Sequence, residues 1–83
     1  MLLRNGSRGN AARVLQNTLI DLGFGKYFSK YGADGIIGKA TEDAIKVAQK
    51  WLGVKVDGIV GPVTQRAINN RKRVVGIRGT YNF

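Results

Sequence analysis

Two aspartates stand in closely matched surroundings, and paired carboxylates are what most enzymes that hydrolyse glycosidic bonds use. Asp34 opens the stretch DGIIGKATEDAI, and Asp57 opens DGIVGPVTQRAI twenty-three residues later, with seven of the twelve positions identical. Each aspartate precedes a glycine, where an Asp side chain commonly accepts the backbone N–H groups of a turn. Such hydrogen bonds lower the pKa of a carboxyl group, which is the wrong direction for a general acid. We therefore interpret both as turn-forming residues, and the sequence predicts no catalytic residue.

The residue types that the sequence lacks narrow the chemistry further. The chain has no cysteine and no histidine, which removes thiol nucleophiles, imidazole bases and the usual zinc ligands. Gly38 and Gly61 each precede a predicted helix, but neither belongs to the Gly-Lys-Ser/Thr arrangement of a phosphate-binding loop. We therefore expect no metal site, no nucleotide site and no cofactor.

The charge balance concerns the partner rather than the fold. Fourteen Lys and Arg against five Asp and Glu give a formal net charge of +9, which indicates an anionic partner such as nucleic acid, a bacterial wall polymer or an anionic membrane surface. The sequence shows no helix-turn-helix, zinc-finger or aromatic RNA-binding pattern, so a small basic nucleic-acid-binding or general polyanion-binding protein is the alternative interpretation. No apolar run approaches the roughly 20 residues of a membrane-spanning helix, so none is expected.

Glycine, proline and helical periodicity divide the 83 residues into three predicted helices. The first is predicted over 10–22, with Ser7 as its N-cap and Gly23 as the left-handed residue after its end. The second is predicted over 39–52 and the third over 62–70, delimited by a glycine and a proline. The residues expected to face inward are Ala11, Val14, Leu15, Leu19, Leu22, Ala44, Val47, Ala48, Trp51, Leu52, Val63, Ala67 and Ile68.

The predicted fold class is mainly α, a small three-helix bundle with two Asp-Gly-x-x-Gly turn–helix repeats and irregular loops. The domain covers residues 1–70, and residues 71–83 form a basic C-terminal tail that we expect to be partly ordered against the domain. Gly38 is expected to add a second left-handed step to the first turn. Gln16 and Gln49 follow apolar helix positions, and we expect them to hydrogen-bond the turn backbones from inside the bundle.

Several short motifs follow one another within residues 3–70. They are the Gly6-Ser7-x-Gly9 opening, the Leu15-Gln16 pair, the Leu22-Gly23-Phe24 ending, and the two Asp-Gly-x-x-Gly turns, of which the second runs into Pro62 and Thr64. In this order the motifs resemble the peptidoglycan-binding domain family. Two departures are visible, since Lys39 stands where the second turn has a proline, and Ala48 stands where the family often has Phe. Trp51, one helical turn on, is expected to supply that aromatic bulk.

This resemblance implies a wall-targeting module of the kind found in phage endolysins, autolysins and other cell-wall hydrolases. It implies that the chain is not itself an enzyme, that it binds the glycan strand or the stem peptide of peptidoglycan, and that it brings a linked or partner catalytic domain to its substrate. Anionic wall polymers would attract its basic residues. The module would act at the bacterial cell wall, extracellular or periplasmic. The opening MLLRNG is too short and too quickly charged for a signal peptide, so holin-type release or another domain would deliver it.

The repeated turns are the predicted ligand platform. Two turn–helix units packed side by side would place carboxylates, backbone groups and apolar side chains on one side of the bundle. The pairs Ile36–Ile37 and Ile59–Val60 are candidates for its apolar floor, although at least one residue of each pair is expected in the core. Thr41 and Thr64 either bond back to their turns or contact the ligand.

The aromatic residues complete the predicted site. Sugar rings stack on aromatic side chains, which favours the loop residues Tyr27 and Tyr31, whereas Trp51 lies on the apolar stripe of the second helix and is expected in the core. The predicted ligand-binding residues are therefore Tyr27, Tyr31, Asp34, Gly35, Ile36, Thr41, Asp57, Gly58, Ile59 and Thr64.

Overall fold

The computed structural model describes residues 2–28 and 32–75. Its helices are α1 (Asn10–Asp21), α2 (Lys39–Leu52) and α3 (Pro62–Val75), with a 3-10 turn at Gly25–Tyr27. Within these ranges the chain forms isolated β-bridges but no β-strand, so the predicted mainly α three-helix fold is confirmed. α3 does not end near residue 70 as predicted but continues through the first residues of the predicted basic tail. Residues 76–83 of that tail lie outside the described residues.

Glycines set the helix boundaries, although not always as predicted. Gly23 and Gly53 follow α1 and α2 with φ angles of 98° and 75°, a left-handed conformation that glycine adopts without a Cβ clash. The prediction of Ser7 as N-cap is wrong, because Gly9 occupies that position and no side chain caps α1. Ser7 lies too far upstream of the first helical turn, and its Oγ instead accepts the backbone N–H of Arg4 at 3.0 Å.

The hydrophobic core joins all three helices with one residue from each turn. As expected, one member of each apolar pair, Ile37 and Val60, is buried, while Ile36 is exposed and Ile59 is half-buried. The buried hydrophobic residues are Leu3, Ala12, Leu15, Leu19, Phe28, Ile37, Ala44, Ile45, Ala48, Val60 and Ile68.

Two residues that were predicted to face inward do not. Trp51 keeps 39% of its surface exposed, because it lies in the last turn of α2, where its ring packs edge-to-face against Phe24 with the ring centres 5.6 Å apart. Val63 is 64% exposed. Within residues 62–71 of α3 the buried positions are Thr64 and Ile68, and a helix rotates about 100° per residue, which turns Val63 outward.

The segment before α1 contacts both repeated turns. Leu3 exchanges two backbone hydrogen bonds with Val60, at 3.0 and 2.8 Å, and forms an antiparallel bridge with it. Arg8 forms a second such bridge with Ile36. Residues 3–8 therefore connect the two turns through one short segment. Among the described residues, none of the helices is long and apolar enough to cross a membrane.

Candidate functional site

Both Asp-Gly turns have the same local geometry. In the first turn (residues 34–38) Asp34 Oδ1 accepts the Ile36 N–H at 3.0 Å, and in the second (residues 57–61) Asp57 Oδ1 accepts the Ile59 N–H at 3.0 Å. The glycine after each aspartate has a left-handed backbone, with φ angles of 79° and 74°. The second left-handed step predicted at Gly38 is wrong, because its φ is −104°, an angle open to any residue.

One buried glutamine holds each turn from inside the bundle. Gln16 Nε2 donates to Asp34 Oδ1 at 3.1 Å and to the Ile36 carbonyl at 3.0 Å, while its Oε1 accepts the Gly35 N–H at 2.7 Å. Gln49 repeats these contacts with Asp57, Ile59 and Gly58 at 2.9, 3.0 and 2.9 Å. The predicted structural role of the two glutamines is confirmed. Each turn is therefore fixed by a side chain of the preceding helix.

Both threonines belong to these networks. Gln16 Nε2 also donates to Thr41 Oγ1 at 3.1 Å, and Gln49 Nε2 donates to Thr64 Oγ1 at 3.2 Å. An amide group has two hydrogens, so in each network three acceptors share them. Both threonine side chains are buried. These contacts correspond to the first of the two roles considered, in which each threonine bonds back to its turn. Ligand contact by Thr41 and Thr64 stays a prediction.

The hydrogen bonds keep both aspartates ionised. The Ile36 N–H, followed by the Gln16 amide, lowers the pKa of Asp34 below its ordinary value. The Ile59 N–H, followed by the Gln49 amide, does the same to the pKa of Asp57. Both side chains are exposed. The site thus presents two carboxylates that can accept hydrogen bonds or attract cations, and neither is poised to donate a proton at neutral pH.

The first turn forms one wall of an open groove with a volume of about 530 Å³. This first groove brings together four of the predicted site residues, Tyr27, Asp34, Ile36 and Thr41. Gly35 is buried and lies away from it, and Tyr31 is outside the described residues. The lining residues are Tyr27, Phe28, Asp34, Ile36, Gly38, Lys39, Ala40, Thr41 and Asp43.

The second turn forms a smaller groove of about 250 Å³, and this second groove contains Asp57, Ile59 and Thr64. Six of its residues stand twenty-three positions after six residues of the first groove, so the repeat creates two grooves from equivalent positions. Gly58 is buried and lines neither of them. The lining residues are Leu2, Val54, Lys55, Asp57, Ile59, Gly61, Pro62, Val63 and Thr64.

Sequence reasoning missed Lys39 and Asp43 as residues of the first groove. Lys39 Nζ contacts Asp43 Oδ1 at 2.6 Å, one helical turn along α2. Their i, i+4 spacing can be read from the sequence, whereas their place beside Tyr27 depends on how the loop before α2 packs. The groups described by the structure include no cluster of side chains able to hold a metal ion.

Cations lie against the faces of two exposed aromatic rings. Lys26 Nζ lies 5.4 Å from the ring centre of Tyr27, and the Arg71 guanidinium carbon lies 4.5 Å from the ring centre of Trp51. A cation over a ring is attracted by the negative face of the π system. One face of each ring is therefore already in contact with a positive group.

A cationic depression of about 570 Å³ also borders the first turn. Arg8 and Arg13 provide its positive charge, and the exposed Asp34 shares it with the first groove. This surface carries two cations and one carboxylate, whereas the first groove carries one cation and two carboxylates.

Two solved structures and one curated protein are similar to this chain. The SleB N-terminal domain has a TM-score of 0.76 at 28% identity, covering 86% of this chain and 92% of that one. The Burkholderia AP3 phage endolysin has a TM-score of 0.71 at 37% identity, covering 82% of this chain and 24% of the endolysin. The N-acetylmuramoyl-L-alanine amidase CwlL of Bacillus licheniformis is 43% identical over 55 residues, which are 66% of this chain and 15% of the amidase.

This chain therefore spans a small part of the amidase and of the endolysin, and nearly all of the SleB domain. A family model described as "Putative peptidoglycan binding domain" matches residues 8–68 of this chain. Those residues include α1, α2, both Asp-Gly turns and the first part of α3. The chain belongs to the peptidoglycan-binding domain family.

Proposed function

We propose that this chain is a non-catalytic module that binds peptidoglycan and holds a linked or partner wall hydrolase, such as an endolysin or autolysin, at its polymer substrate. The observation that carries the proposal is the pair of equivalent grooves at the two turns, on a chain of this family. In two of the relatives, an amidase and an endolysin, the matching region is a minor part of the chain. That proportion suits a module attached to a catalytic domain.

The contacts of the two aspartates support a role in binding rather than in hydrolysis. Each carboxylate is tied to a backbone N–H and a glutamine amide, and both have lowered pKa values. General acid catalysis of glycoside hydrolysis needs one carboxyl group whose pKa is raised. Ionised, rigidly held carboxylates are instead suited to accept hydrogen bonds from the amides and hydroxyls of a wall fragment.

The proposed ligand contacts come from the exposed residues of the two grooves. Tyr27, Asp34 and Ile36 act in the first groove, and Asp57 and Ile59 in the second. The other predicted site residues remain in the proposal, the buried ones as parts of the turns and the tyrosine of the undescribed loop as a further contact; they are Tyr31, Gly35, Thr41, Gly58 and Thr64.

The positive charge has a supporting role in this proposal. Phosphates of anionic wall polymers would be attracted to Arg8 and Arg13, with a strength that falls as salt increases. The module would act at the bacterial cell wall, with delivery left to another domain or to release of the cell contents. Weak single-site affinity suffices, because a wall offers many sites and a linked catalytic domain is held at high local concentration.

Two isoleucines provide a matched test of the grooves. Ile36 in the first groove and Ile20 on α1 are similarly exposed, at 44% and 42%. We expect the wild-type chain to co-sediment with purified sacculi without lowering their turbidity. Ile36→Ala should weaken the co-sedimentation several-fold, and Ile20→Ala should leave it unchanged. Lysis by the isolated chain would contradict the non-catalytic role, and equal effects of the two variants would remove the first groove from the binding surface.

Sedimentation in rising salt separates this proposal from general polyanion binding. A module that recognises wall fragments should retain part of its binding to sacculi at salt concentrations that release it from DNA. Binding to DNA and sacculi with the same affinity and the same steep salt dependence would instead favour the polyanion-binding alternative.

A further inference from the structure

The two grooves arise from equivalent positions but differ in charge on the helix side. In the first groove α2 contributes Lys39 and Asp43, whose charged atoms are 2.6 Å apart. The equivalent positions of α3 hold Pro62 and Arg66, and Arg66 is not among the residues of the second groove. Only the first groove, among those described, therefore presents an ammonium and a carboxylate together on its helix wall.

Helix stability does not account for this pair. Lys39 is the first residue of α2, where a cation is disfavoured by the positive end of the helix dipole. A lysine placed four residues before an acid is also the less favourable order for an ion pair on a helix. Both side chains are exposed, and exposed pairs of this kind contribute little to stability. Departures from such local rules are expected at functional or strained sites.

An exposed pair can exchange its internal partner for a ligand at little cost. A ligand carboxylate would bind Lys39, and a ligand ammonium would bind Asp43 or the nearby Asp34, which is ionised. Ile36 supplies an apolar contact in the same groove. The groove is therefore complementary to a short chain that carries both charges and small apolar groups.

We infer that the first groove binds the stem peptide of peptidoglycan rather than the glycan strand; this inference rests on the proposed function. The stem peptide carries free carboxylates and, where it is not cross-linked, the free amine of a diamino acid. The acetylated sugars of the glycan are neutral and would leave Lys39 and Asp43 unused. The groove's exposed ring, Tyr27, has a lysine ammonium over one face, which leaves less of it for stacking on a sugar.

Amide chemical-shift mapping with two soluble probes tests this assignment. The first probe is N-acetylated L-Ala-γ-D-Glu-meso-diaminopimelate-D-Ala. Its acetyl group caps the alanine amine, which in the wall is acylated by the lactyl group of the glycan. The second probe is chitotetraose, which is neutral. We expect the peptide to shift the amides of residues 34–43, with shifts that shrink in high salt, and chitotetraose to leave them in place. Shifts in this range from chitotetraose, or none from the peptide, would overturn the inference.

Charge variants distinguish ion pairing of the tetrapeptide with Lys39 and Asp43 from its general attraction to a basic protein. The tetrapeptide has a net negative charge, so if only overall charge mattered, Asp43→Asn would strengthen its binding. Pairing with the diamino acid predicts the opposite, a loss of about two- to fivefold, and a similar loss for Lys39→Gln. Arg66→Gln, at the equivalent position of α3, should match the wild type. Tighter binding by Asp43→Asn, or equal losses for Lys39→Gln and Arg66→Gln, would refute the assignment.

Co-sedimentation of the wild-type chain with sacculi distinguishes failure of this inference from failure of the proposed function. A chain that sediments with sacculi but responds to chitotetraose and not to the tetrapeptide would retain the proposed function and lose this inference. A chain that does not sediment with sacculi would lose both.

Discussion

Replacing Gln49 with leucine should destabilise the domain strongly, because this buried side chain holds the second turn. The change removes the partner of two buried groups, the Gly58 N–H and the Thr64 hydroxyl. A buried polar group left without a partner costs about 1–3 kcal/mol, which gives roughly 2–6 kcal/mol for the two. Burying the leucine offsets about 1–2 kcal/mol of this. We therefore expect a net loss of about 3 kcal/mol.

That loss is large for a domain of 83 residues, whose total stability is roughly 4–12 kcal/mol. Urea unfolding followed by circular dichroism measures it directly, and the thermal midpoint should fall by about 15 °C. Lys50→Leu, at the exposed neighbouring position of α2, is the control and should stay within about 0.5 kcal/mol of wild type. A loss below about 1 kcal/mol for Gln49→Leu would show that water satisfies the turn, and would refute the reasoning.

Three further predictions follow from the turns and from the exposed tryptophan. Gly35→Ala should cost about 2 kcal/mol in urea unfolding and Gly58→Ala about 1. Both glycines need a left-handed backbone, and the cost at Gly35 is larger because its added Cβ would also meet a backbone oxygen at 3.2 Å. The lowered pKa values of Asp34 and Asp57 contribute stability that is present above the unfolded value of about 3.9 and is lost as pH falls below it. The double variant with asparagine at both positions should show a shallower loss of thermal midpoint between pH 5 and pH 2, and an unchanged slope would contradict this cause. Trp51→Ala should cost only about 1–2 kcal/mol in urea unfolding, against the 3–5 typical of a core aromatic, because the side chain is partly exposed. A loss of about 3 kcal/mol or more would contradict this partly exposed position.

The helices could be predicted from sequence wherever the chain carries an explicit stop signal. α2 begins and ends at the predicted residues, since Gly53 provides the left-handed conformation that ends it. α3 was predicted too short because the polar run after Ile68 lacks apolar periodicity, yet no glycine or proline interrupts it before Gly76. Ser7 was assigned to the wrong role because a favourable N-cap residue does not mark the start of a helix when a glycine, here Gly9, stands nearer to it.

The site was predictable in its parts but not in its assembly. The turns and the supporting glutamines follow from local chemistry, so Asp34, Asp57 and Gln16 were assigned correct structural roles. The grooves require long-range packing, since the first depends on how the loop carrying Tyr27 folds onto α2. Leu2, which lines the second groove, comes from a segment whose pairing with the turn no local pattern reveals.

The backbone pairing of Leu3 with Val60 has a consequence for the order in which the chain folds. Gln49 lies 8 residues from Asp57, and Gln16 lies 18 residues from Asp34, so the second turn closes the smaller loop at the lower entropic cost. The bridge of Leu3 to Val60 closes a far longer one and can form only once the second turn has placed Val60. Residues 2–5, which precede the pairing of the segment with the first turn, should therefore be the last to join the folded domain. Their amides should be the first to exchange with solvent when the native state opens.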